Sequence, residues 1–332
     1  KKYSDIVLVP NWILKLPHES NPAFAYSKNF GLEYNLSFMN YHLSEQLNKE
    51  KNFYVFNSSK WLLNCGVSNA YNSKLWYLTK TPFSNIFFKQ VISDMSNLYG
   101  SMKGLSKKLL VLDLDDTLWG GIVGEIGWKN LRIGGHDHLG ESFRDFQIQI
   151  KSLKNQGIIL AIVSKNDEAI AIEAINKHPE MILTMKDFVT HRINWEDKAK
   201  NIVDIVDELN LGLQSVVFLD DSPFERARVQ ETLPEVLVPE LPKDPTDYNT
   251  FLSKLRCFDT TNITEEDKIR VNLYQSESKR TKLKQQLKSA SEWIKTLNLT
   301  IVIENIKNEN TPRAVQLLNK TNQMNLSTRR LS

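Results

Sequence analysis

The segment that most constrains this chain is a short apolar run that leads directly into a group of acidic residues. Residues 109–112 are all leucine or valine, and Asp113, Asp115 and Asp116 follow at once. An unbroken apolar run of this kind suits a strand buried on both faces, as in a parallel sheet. Carboxylates crowded there would repel one another by about 4 kcal/mol per pair, a cost that a bound divalent cation relieves. Since aspartate can also attack phosphorus, the segment predicts metal-assisted phosphoryl transfer.

Composition excludes several classes of protein. The 332 residues are 41% hydrophobic and 24% charged, which is ordinary for a globular protein of one or two domains. The balance of 42 Lys+Arg against 39 Asp+Glu gives a charge of only +3, so we expect no nucleic-acid partner. No apolar run approaches the roughly 18 residues that a bilayer span requires, so we expect no membrane insertion. Two isolated cysteines, Cys65 and Cys257, indicate a reducing cytoplasm.

Hydrophobic periodicity predicts an α/β protein with a parallel sheet. In the first hundred residues it predicts strands at 5–9 and 53–56 and helices near 32–47 and 83–98. Beyond residue 108, predicted strands alternate with predicted helices, which favours parallel strands joined by right-handed crossovers. These strands are 109–112, 158–163, 181–183 and 216–219, and the helices are about 140–155, 167–177 and 197–209.

Three of the predicted strands end in polar side chains that could carry chemistry. Ligands of open parallel sheets bind at the carboxyl ends of the strands, where the strand order reverses. Each signal alone could be a turn or a helix cap, but their repetition at successive strand ends favours a functional site. The residues are Asp113 and Asp115 after the first strand, Ser164, Lys165 and Asn166 after the second, Asp220 and Asp221 after the fourth, and Lys198 at the start of the preceding helix.

These motifs resemble those of the haloacid-dehalogenase (HAD) superfamily of phosphotransferases. Its four motifs correspond to DLDDT, VSKN, a lysine on a helix, and FLDDS. Longer stretches resemble the FkbH-like branch, subfamily IIIC of that superfamily. They are LDLDDTLWGGIVGE at 112–125, RINWEDKAKN at 192–201, DDSPFER at 220–226 and KTNQMNLSTRR at 320–330.

The resemblance implies a domain arrangement. Residues 104–260 would form a HAD-like Rossmannoid domain, a three-layer structure built on a parallel sheet. Residues 1–103 are similar to a partial SGNH-hydrolase-like α/β domain, and the absence of Asp and His from 73–84 favours a docking or scaffold role for it. Residues 261–298 would form a long helical linker. Residues 299–332 would begin a truncated acetyltransferase-like (GNAT) domain.

The resemblance also implies an activity. FkbH-like proteins are associated with loading a glyceryl unit from 1,3-bisphosphoglycerate onto an acyl carrier protein, with loss of phosphate, in polyketide or surface-glycan assembly. We therefore expect a Mg²⁺-dependent HAD phosphatase or phosphotransferase whose partners are a small phosphorylated substrate and an acyl carrier protein. A stand-alone phosphatase acting on a sugar phosphate or phosphoprotein, and a non-catalytic scaffold that docks carrier protein, are the alternatives.

Each motif residue has an expected role. Asp113 would attack phosphorus and Asp115 would act as general acid and then general base. Lys198 would stabilise negative charge in the transition state. The remaining expectations are Mg²⁺ ligands from Asp113, the Asp115 carbonyl, Asp220 and Asp221; phosphate contacts from Thr117 and Ser164; substrate positioning by Lys165, Asn166 and Arg192; and a hinge and wall over the site from Trp119, Gly120 and Gly121.

One position departs from the family pattern. Some members carry a cysteine between the two motif aspartates, proposed to hold the glyceryl group as a thioester, and here that residue is Leu114. Neither Cys65 nor Cys257 lies in a motif, and both are expected to be ordinary packed thiols. Acyl transfer directly to the carrier's phosphopantetheine and plain phosphatase action therefore both remain open.

Overall fold

The structure is a computed structural model of the chain. It describes residues 6–14, 22–28, 30–50, 52–135 and 137–259, together with a few isolated positions beyond residue 273. The chain divides into one compact unit, Lys1–Ser276, and a second, Glu277–Ser332. Apart from those isolated positions, the predicted helical linker at 261–298 and the predicted acetyltransferase-like segment at 299–332 lie outside the described residues. Within the described ranges, no helix has both the length and the apolar character that crossing a membrane requires.

The N-terminal region pairs two short parallel strands with several helices. Strands β1 (Val7–Pro10) and β2 (Phe53–Phe56) form this sheet. Its helices are α1 (Leu32–Leu47), α2 (Ser58–Cys65), α3 (Val67–Ala70), α4 (Ser73–Thr79) and α5 (Asn85–Met102). Three buried side chains, Trp61, Ala70 and Phe87, form a small core between the helices. The Trp61 indole donates a 2.9 Å hydrogen bond to Asp94 of α5, which satisfies the polar edge of the buried ring.

From residue 109 onward, strands and helices alternate around a second sheet. Its four strands lie in the order β5-β4-β3-β6, and every neighbouring pair is parallel. The strands are β3 (Leu109–Leu112), β4 (Ile159–Ser164), β5 (Thr190–Ile193) and β6 (Val216–Leu219). The helices are α6 (Val123–Ile126), α7 (His138–Asn155), α8 (Glu168–Lys177), α9 (Lys198–Glu208), α10 (Pro223–Thr232) and α11 (Tyr248–Lys254).

Side-chain alternation along the strands builds a three-layer core. Leu110 and Leu112 of β3 belong to a cluster that includes Phe146 of α7 on one face of the sheet. Leu109 and its i+2 neighbour on β3 belong to a second cluster that includes Ile202 of α9 on the other face. Since both faces are covered, all residues of β3, β4 and β6 are buried. The predicted α/β fold with a parallel sheet is confirmed.

The predicted strand at 181–183 is wrong. The third strand of this sheet in chain order is β5, which begins at Thr190 and pairs with β4. In the predicted segment, the N–H groups of Ile182 and Leu183 donate instead to the Gln147 side chain at 3.0 and 3.2 Å. The short apolar run is therefore held by a side chain of α7 rather than by a neighbouring strand. Strand β5 lies at an edge, where half-exposed polar residues are tolerated, so its sequence carries a weaker apolar signal.

Candidate active site

The sheet topology brings the predicted site residues to one edge. The chain runs from β3 through β4 to β5 on one side and then crosses to β6 on the other, so the strand order reverses beside β3. Such a switch point leaves a crevice at the carboxyl ends of the strands. Asp113 follows β3, Ser164 ends β4 and Asp220 follows β6. This crevice is the candidate active site.

Three carboxylates and one ammonium group form its centre. One oxygen from each of Asp113, Asp220 and Asp221 lies within 4.8 Å of the others. The Lys198 Nζ, at the first residue of α9, lies 2.9 Å from Asp113 Oδ2 and 2.6 Å from Asp220 Oδ2. Asp113, Asp220 and Lys198 are all buried. Among the described residues, Lys198 pairs with two of these three carboxylates, so the centre carries an excess of negative charge.

The pKa shifts follow from this imbalance. Burial and then the charge of Asp113 raise the pKa of Asp220, and the same two causes, with Asp116, raise the pKa of Asp221 to about 6. Burial alone would lower the pKa of Lys198, but attraction to Asp113 and Asp220 outweighs it and holds that pKa above its ordinary value. The Lys198 ammonium thus stays charged. Because Asp113 and Asp220 share this one ammonium, its attraction does not fully offset the cost of ionising Asp220.

The donor set fits a hard divalent cation. Among the described residues, nothing donates a hydrogen bond to Asp113 Oδ1, although this atom is fully buried. A buried carboxylate oxygen without a partner is costly, and a metal ion bound between the three carboxylates would satisfy it. Oxygen ligands are those that Mg²⁺ prefers. Asp113, Asp220 and Asp221 could therefore hold the predicted metal.

Asp115 is held apart from this cluster. Its Oδ1 accepts hydrogen bonds from Trp119 Nε1 at 2.8 Å and from the Val123 main-chain N–H at 3.1 Å. Its Oδ2 accepts one from Asn166 Nδ2 at 2.8 Å. Burial, the largest effect, raises the pKa of Asp115 despite these donors. The side chain is thus turned away from the candidate metal ligands, so the metal role predicted for this residue depends on its carbonyl alone.

Two polar side chains, Thr117 and Arg226, fix the loop that carries Asp220 and Asp221. The Asp221 N–H donates to the Thr117 hydroxyl at 3.1 Å, and this hydroxyl lies 3.4 Å from Asp221 Oδ1. Arg226 of α10 donates to the carbonyls of both aspartates, at 2.8 and 2.6 Å. Thr117 is completely buried. The structure therefore places Thr117 as a support for a candidate metal ligand, while its expected phosphate contact stays a prediction.

The residues after β4 reach the same crevice. The Ser164 hydroxyl lies 3.4 Å from Asn166 Nδ2, and both side chains are buried. Lys165 is half-buried and forms an ion pair of 2.7 Å with Glu225 of α10. The structure thus joins Asn166 to Asp115 and to Ser164, whereas the Lys165 ammonium is tied to a neighbouring helix.

Trp119 and Gly120 are buried and Gly121 is half-buried, so the Trp119 ring is not an exposed wall over the site. Trp119 has no exposed surface, because its indole packs in the core while its N–H binds Asp115. Gly120 exchanges two 3.0 Å main-chain hydrogen bonds with Arg132. Gly121 adopts φ +101°, which favours glycine, and its N–H donates to Asp116 at 2.7 Å. The geometry gives no support to direct substrate contact by the Trp119 side chain.

The structure does not bring Arg192 to the carboxylates. Its guanidinium forms an ion pair with Glu208 of α9 at 2.8 Å and also donates to Thr190 and to a main-chain carbonyl. Arg192 lies on the edge strand β5, where it joins the strand to the helix that follows. The geometry therefore assigns it a structural ion pair, and its predicted contact with a second phosphate or carboxylate has no support.

Sequence reasoning missed several supporting residues of the site. The side chains of Asn194 and Asn201 form two mutual hydrogen bonds, of 3.2 and 2.8 Å, which fix the loop before Lys198. The Tyr248 hydroxyl of α11 donates to the Asp116 carbonyl at 3.1 Å. Asn194, Asn201 and Arg226 belong to the longer motifs, so their presence there was a usable signal. Tyr248 lies in no motif and could be found only in three dimensions.

One solved structure is related to this chain in both sequence and fold. It is the N-terminal part of the protein BF1531 from Bacteroides fragilis, which contains a phosphatase domain and was crystallised in complex with Mg. The two are 37% identical, with a TM-score of 0.72, over 77% of this chain and 68% of that one. The chain belongs to this family of HAD-like phosphatase-domain proteins. No family model matches this HAD-like protein, and no curated protein matches it.

Proposed function

We propose that this HAD-like protein is a Mg²⁺-dependent phosphatase or phosphotransferase that acts on a small phosphorylated substrate through a phosphorylated Asp113. The observation that carries this proposal is the cluster of buried Asp113 and Asp220 with half-buried Asp221, in which Lys198 pairs with the first two. The related Bacteroides domain was crystallised with Mg. Mg²⁺ held by these carboxylates would supply charge neutralisation for the transferring phosphoryl group.

In the first step, an oxygen of Asp113 forms a bond to phosphorus while the bond from phosphorus to the leaving oxygen breaks. The half-buried Asp115, whose pKa is raised by burial, donates its proton to that leaving oxygen. Lys198, which keeps its charge beside Asp113, stabilises the negative charge that spreads over the phosphoryl oxygens. The Ser164 hydroxyl, at the end of β4, is proposed to donate to one of these oxygens.

In the second step, water attacks the aspartyl-phosphate and releases phosphate. Asp115, now ionised, takes a proton from the attacking water and returns to its starting state. Asp113 recovers its carboxylate, so atoms and charges balance over the cycle. An acceptor other than water would turn the same site into a phosphotransferase.

The finer proposal concerns the substrate and acceptor. The motifs at 112–125, 192–201 and 220–226 support an enzyme that dephosphorylates 1,3-bisphosphoglycerate and loads the glyceryl unit on an acyl carrier protein. Leu114 is fully buried between the two motif aspartates, so no thiol is available at that position to form a thioester. For loading, we propose that the thiol of the carrier's phosphopantetheine attacks the C1 carbonyl and displaces the C1 phosphate, while Asp113 takes the phosphoryl group from the C3 oxygen.

The alternative is a stand-alone phosphatase that acts on a sugar phosphate or phosphoprotein. One observation favours it, namely the absence of a cysteine among the residues described around the site. Cys257 is half-buried against the core, and burial raises the pKa of its thiol to about 11, which makes it a poor nucleophile. Hydrolysis needs no such thiol, because the carboxylates and Lys198 suffice.

Mass spectrometry of the carrier separates these possibilities. The protein is incubated with Mg²⁺, 1,3-bisphosphoglycerate and holo carrier protein, with Asp113→Asn and enzyme-free samples in parallel. A glyceryl adduct that requires Asp113 supports loading. Phosphate release without an adduct contradicts loading and favours the phosphatase. If neither product exceeds the enzyme-free sample and no other phosphorylated compound releases phosphate, the proposed activity is wrong.

A further inference from the structure

The hydrogen bonds at Asp115 divide its two oxygens into different roles. Among the described residues, Oδ1 accepts two, from the Trp119 indole and the Val123 main chain, whereas Oδ2 accepts one, from Asn166. A carboxylate oxygen has two lone pairs in the plane of the group. Oδ1 is therefore saturated, and Oδ2 retains one position at which a proton or a substrate oxygen can bind.

We propose that Trp119 and Asn166 are positioning residues, which hold Asp115 so that its Oδ2 is the atom that exchanges the proton with the leaving group. This inference rests on the proposed phosphatase activity and goes beyond it by assigning the proton to one oxygen. In the protonated acid, Oδ1 is the carbonyl oxygen, which accepts the two donors, and Oδ2 carries the hydrogen. That proton moves to the leaving oxygen as its bond to phosphorus breaks, and Oδ2 recovers a proton from water in the second step.

The burial of the two positioning residues makes this arrangement rigid. Trp119 has no exposed surface and Asn166 is 4% exposed, so neither side chain can turn toward solvent. They come from different parts of the fold, since Trp119 follows β3 and Asn166 follows β4. Asp115 is thus held by donors from two separate segments, one after each of these neighbouring strands. The loss of either donor would allow the carboxyl group to rotate about its last torsion, and small misplacements of a catalytic group are expensive.

The dependence of rate on the leaving group tests this inference. Phenyl phosphates with phenols of graded acidity are compared in a single turnover, so that only the cleavage of the bond to phosphorus is measured. A poor leaving group needs the proton from Asp115, whereas p-nitrophenolate needs it little. For Trp119→Phe we expect a loss on the order of tenfold to a hundredfold with the poorest leaving group and little loss with p-nitrophenyl phosphate.

Trp61→Phe is the matched control. Trp61 is also a buried tryptophan whose indole donates to a carboxylate, Asp94, but it lies in the N-terminal region. Its variant should show the leaving-group dependence of the wild type. An equal loss with every leaving group in Trp119→Phe would mean a merely structural role and would overturn the inference.

Two further variants keep the test decisive. Asn166→Ala removes the hydrogen-bond donor to Oδ2 and should likewise make the rate depend more steeply on the acidity of the leaving phenol. This variant tests the inference even if Trp119→Phe does not fold. In an Asp115→Asn background, Trp119→Phe should add nothing to the dependence, because it acts only through Asp115. An added effect there contradicts the inference. A wild type that releases no phenol from any substrate, with Mg²⁺ present, would instead refute the proposed function itself.

Discussion

The two parallel sheets of this protein differ in how completely they are covered. Every residue of β3, β4 and β6 is buried, whereas no residue of β1 or β2 is buried. Charged side chains at the covered strand ends must therefore be paired, and they form the cluster around Lys198. Among the described residues of the N-terminal region, no comparable group of potential metal ligands occurs. We conclude that helices on both faces of the second sheet bury its strand ends, and that this burial holds the charged and reactive side chains together in one region.

The largest effect is expected when the buried cation, Lys198, is removed. Lys198→Met should reduce kcat/KM by at least about a hundredfold, because the site loses the charge that stabilises the transition state. It should also lower the free energy of unfolding of the metal-free protein by about 3 kcal/mol, since two buried carboxylates lose their partner. Phosphate-release kinetics and urea unfolding measure the two effects. Unchanged kinetics would contradict the role of Lys198.

A smaller effect is expected at the support of the metal site. Thr117→Val removes the hydroxyl that binds Asp221 but keeps the shape of the side chain. Groups that orient metal ligands typically contribute tenfold to a hundredfold in affinity, so we expect Mg²⁺ to bind about tenfold more weakly. Isothermal titration calorimetry gives the affinity. Equal affinities in the variant and the wild type would show that Thr117 does not orient the ligand.

The affinity for Mg²⁺ should also depend on pH. Burial and neighbouring charges raise the pKa values of Asp220 and Asp221, the latter to about 6, so both bind protons more readily than an exposed aspartate. Mg²⁺ must displace these protons. Its affinity should therefore fall as the pH is lowered from 7.5 to 5.5, with protons released on binding. Calorimetry in buffers of different ionisation enthalpy measures the release, and a pH-independent affinity would exclude this competition.

The smallest effect is expected in the N-terminal region. Asp94→Asn weakens the partner of Trp61 and Arg256 without touching the carboxylate cluster. We expect the free energy of unfolding to fall by about 1 kcal/mol, while kcat/KM stays within about twofold of wild type. A large loss of turnover in this variant would break the distinction between the two regions, because it would couple the N-terminal helices to the site.

The same contrast explains what the sequence could predict. The bounds of strands β3 and β6 can be predicted to the residue, because each is an unbroken run of four apolar residues, a pattern typical of a strand buried on both faces. The edge strand β5 was missed, since Thr190, His191 and Arg192 give a polar pattern. Charged residues at strand ends were located correctly because parallel topology brings such ends together.

Individual side-chain contacts could not be predicted in the same way. Trp119 follows the nucleophile strand at the expected place, yet its burial beneath Asp115 depends on the turn at Asp116, which has φ +50°. Arg192 lies in a motif, but whether it meets a substrate or Glu208 depends on where α9 packs. Motif position thus indicated proximity to the site, while packing decided which partner each side chain binds.

The most direct test of the central claim is detection of the phosphorylated nucleophile. The protein is mixed with Mg²⁺ and p-nitrophenyl phosphate, quenched, and treated with borohydride, which reduces an aspartyl-phosphate to homoserine. We expect homoserine at position 113 by peptide mass spectrometry, dependent on both Mg²⁺ and substrate. Turnover of the substrate without modification of Asp113, or with modification at another carboxylate, would contradict it.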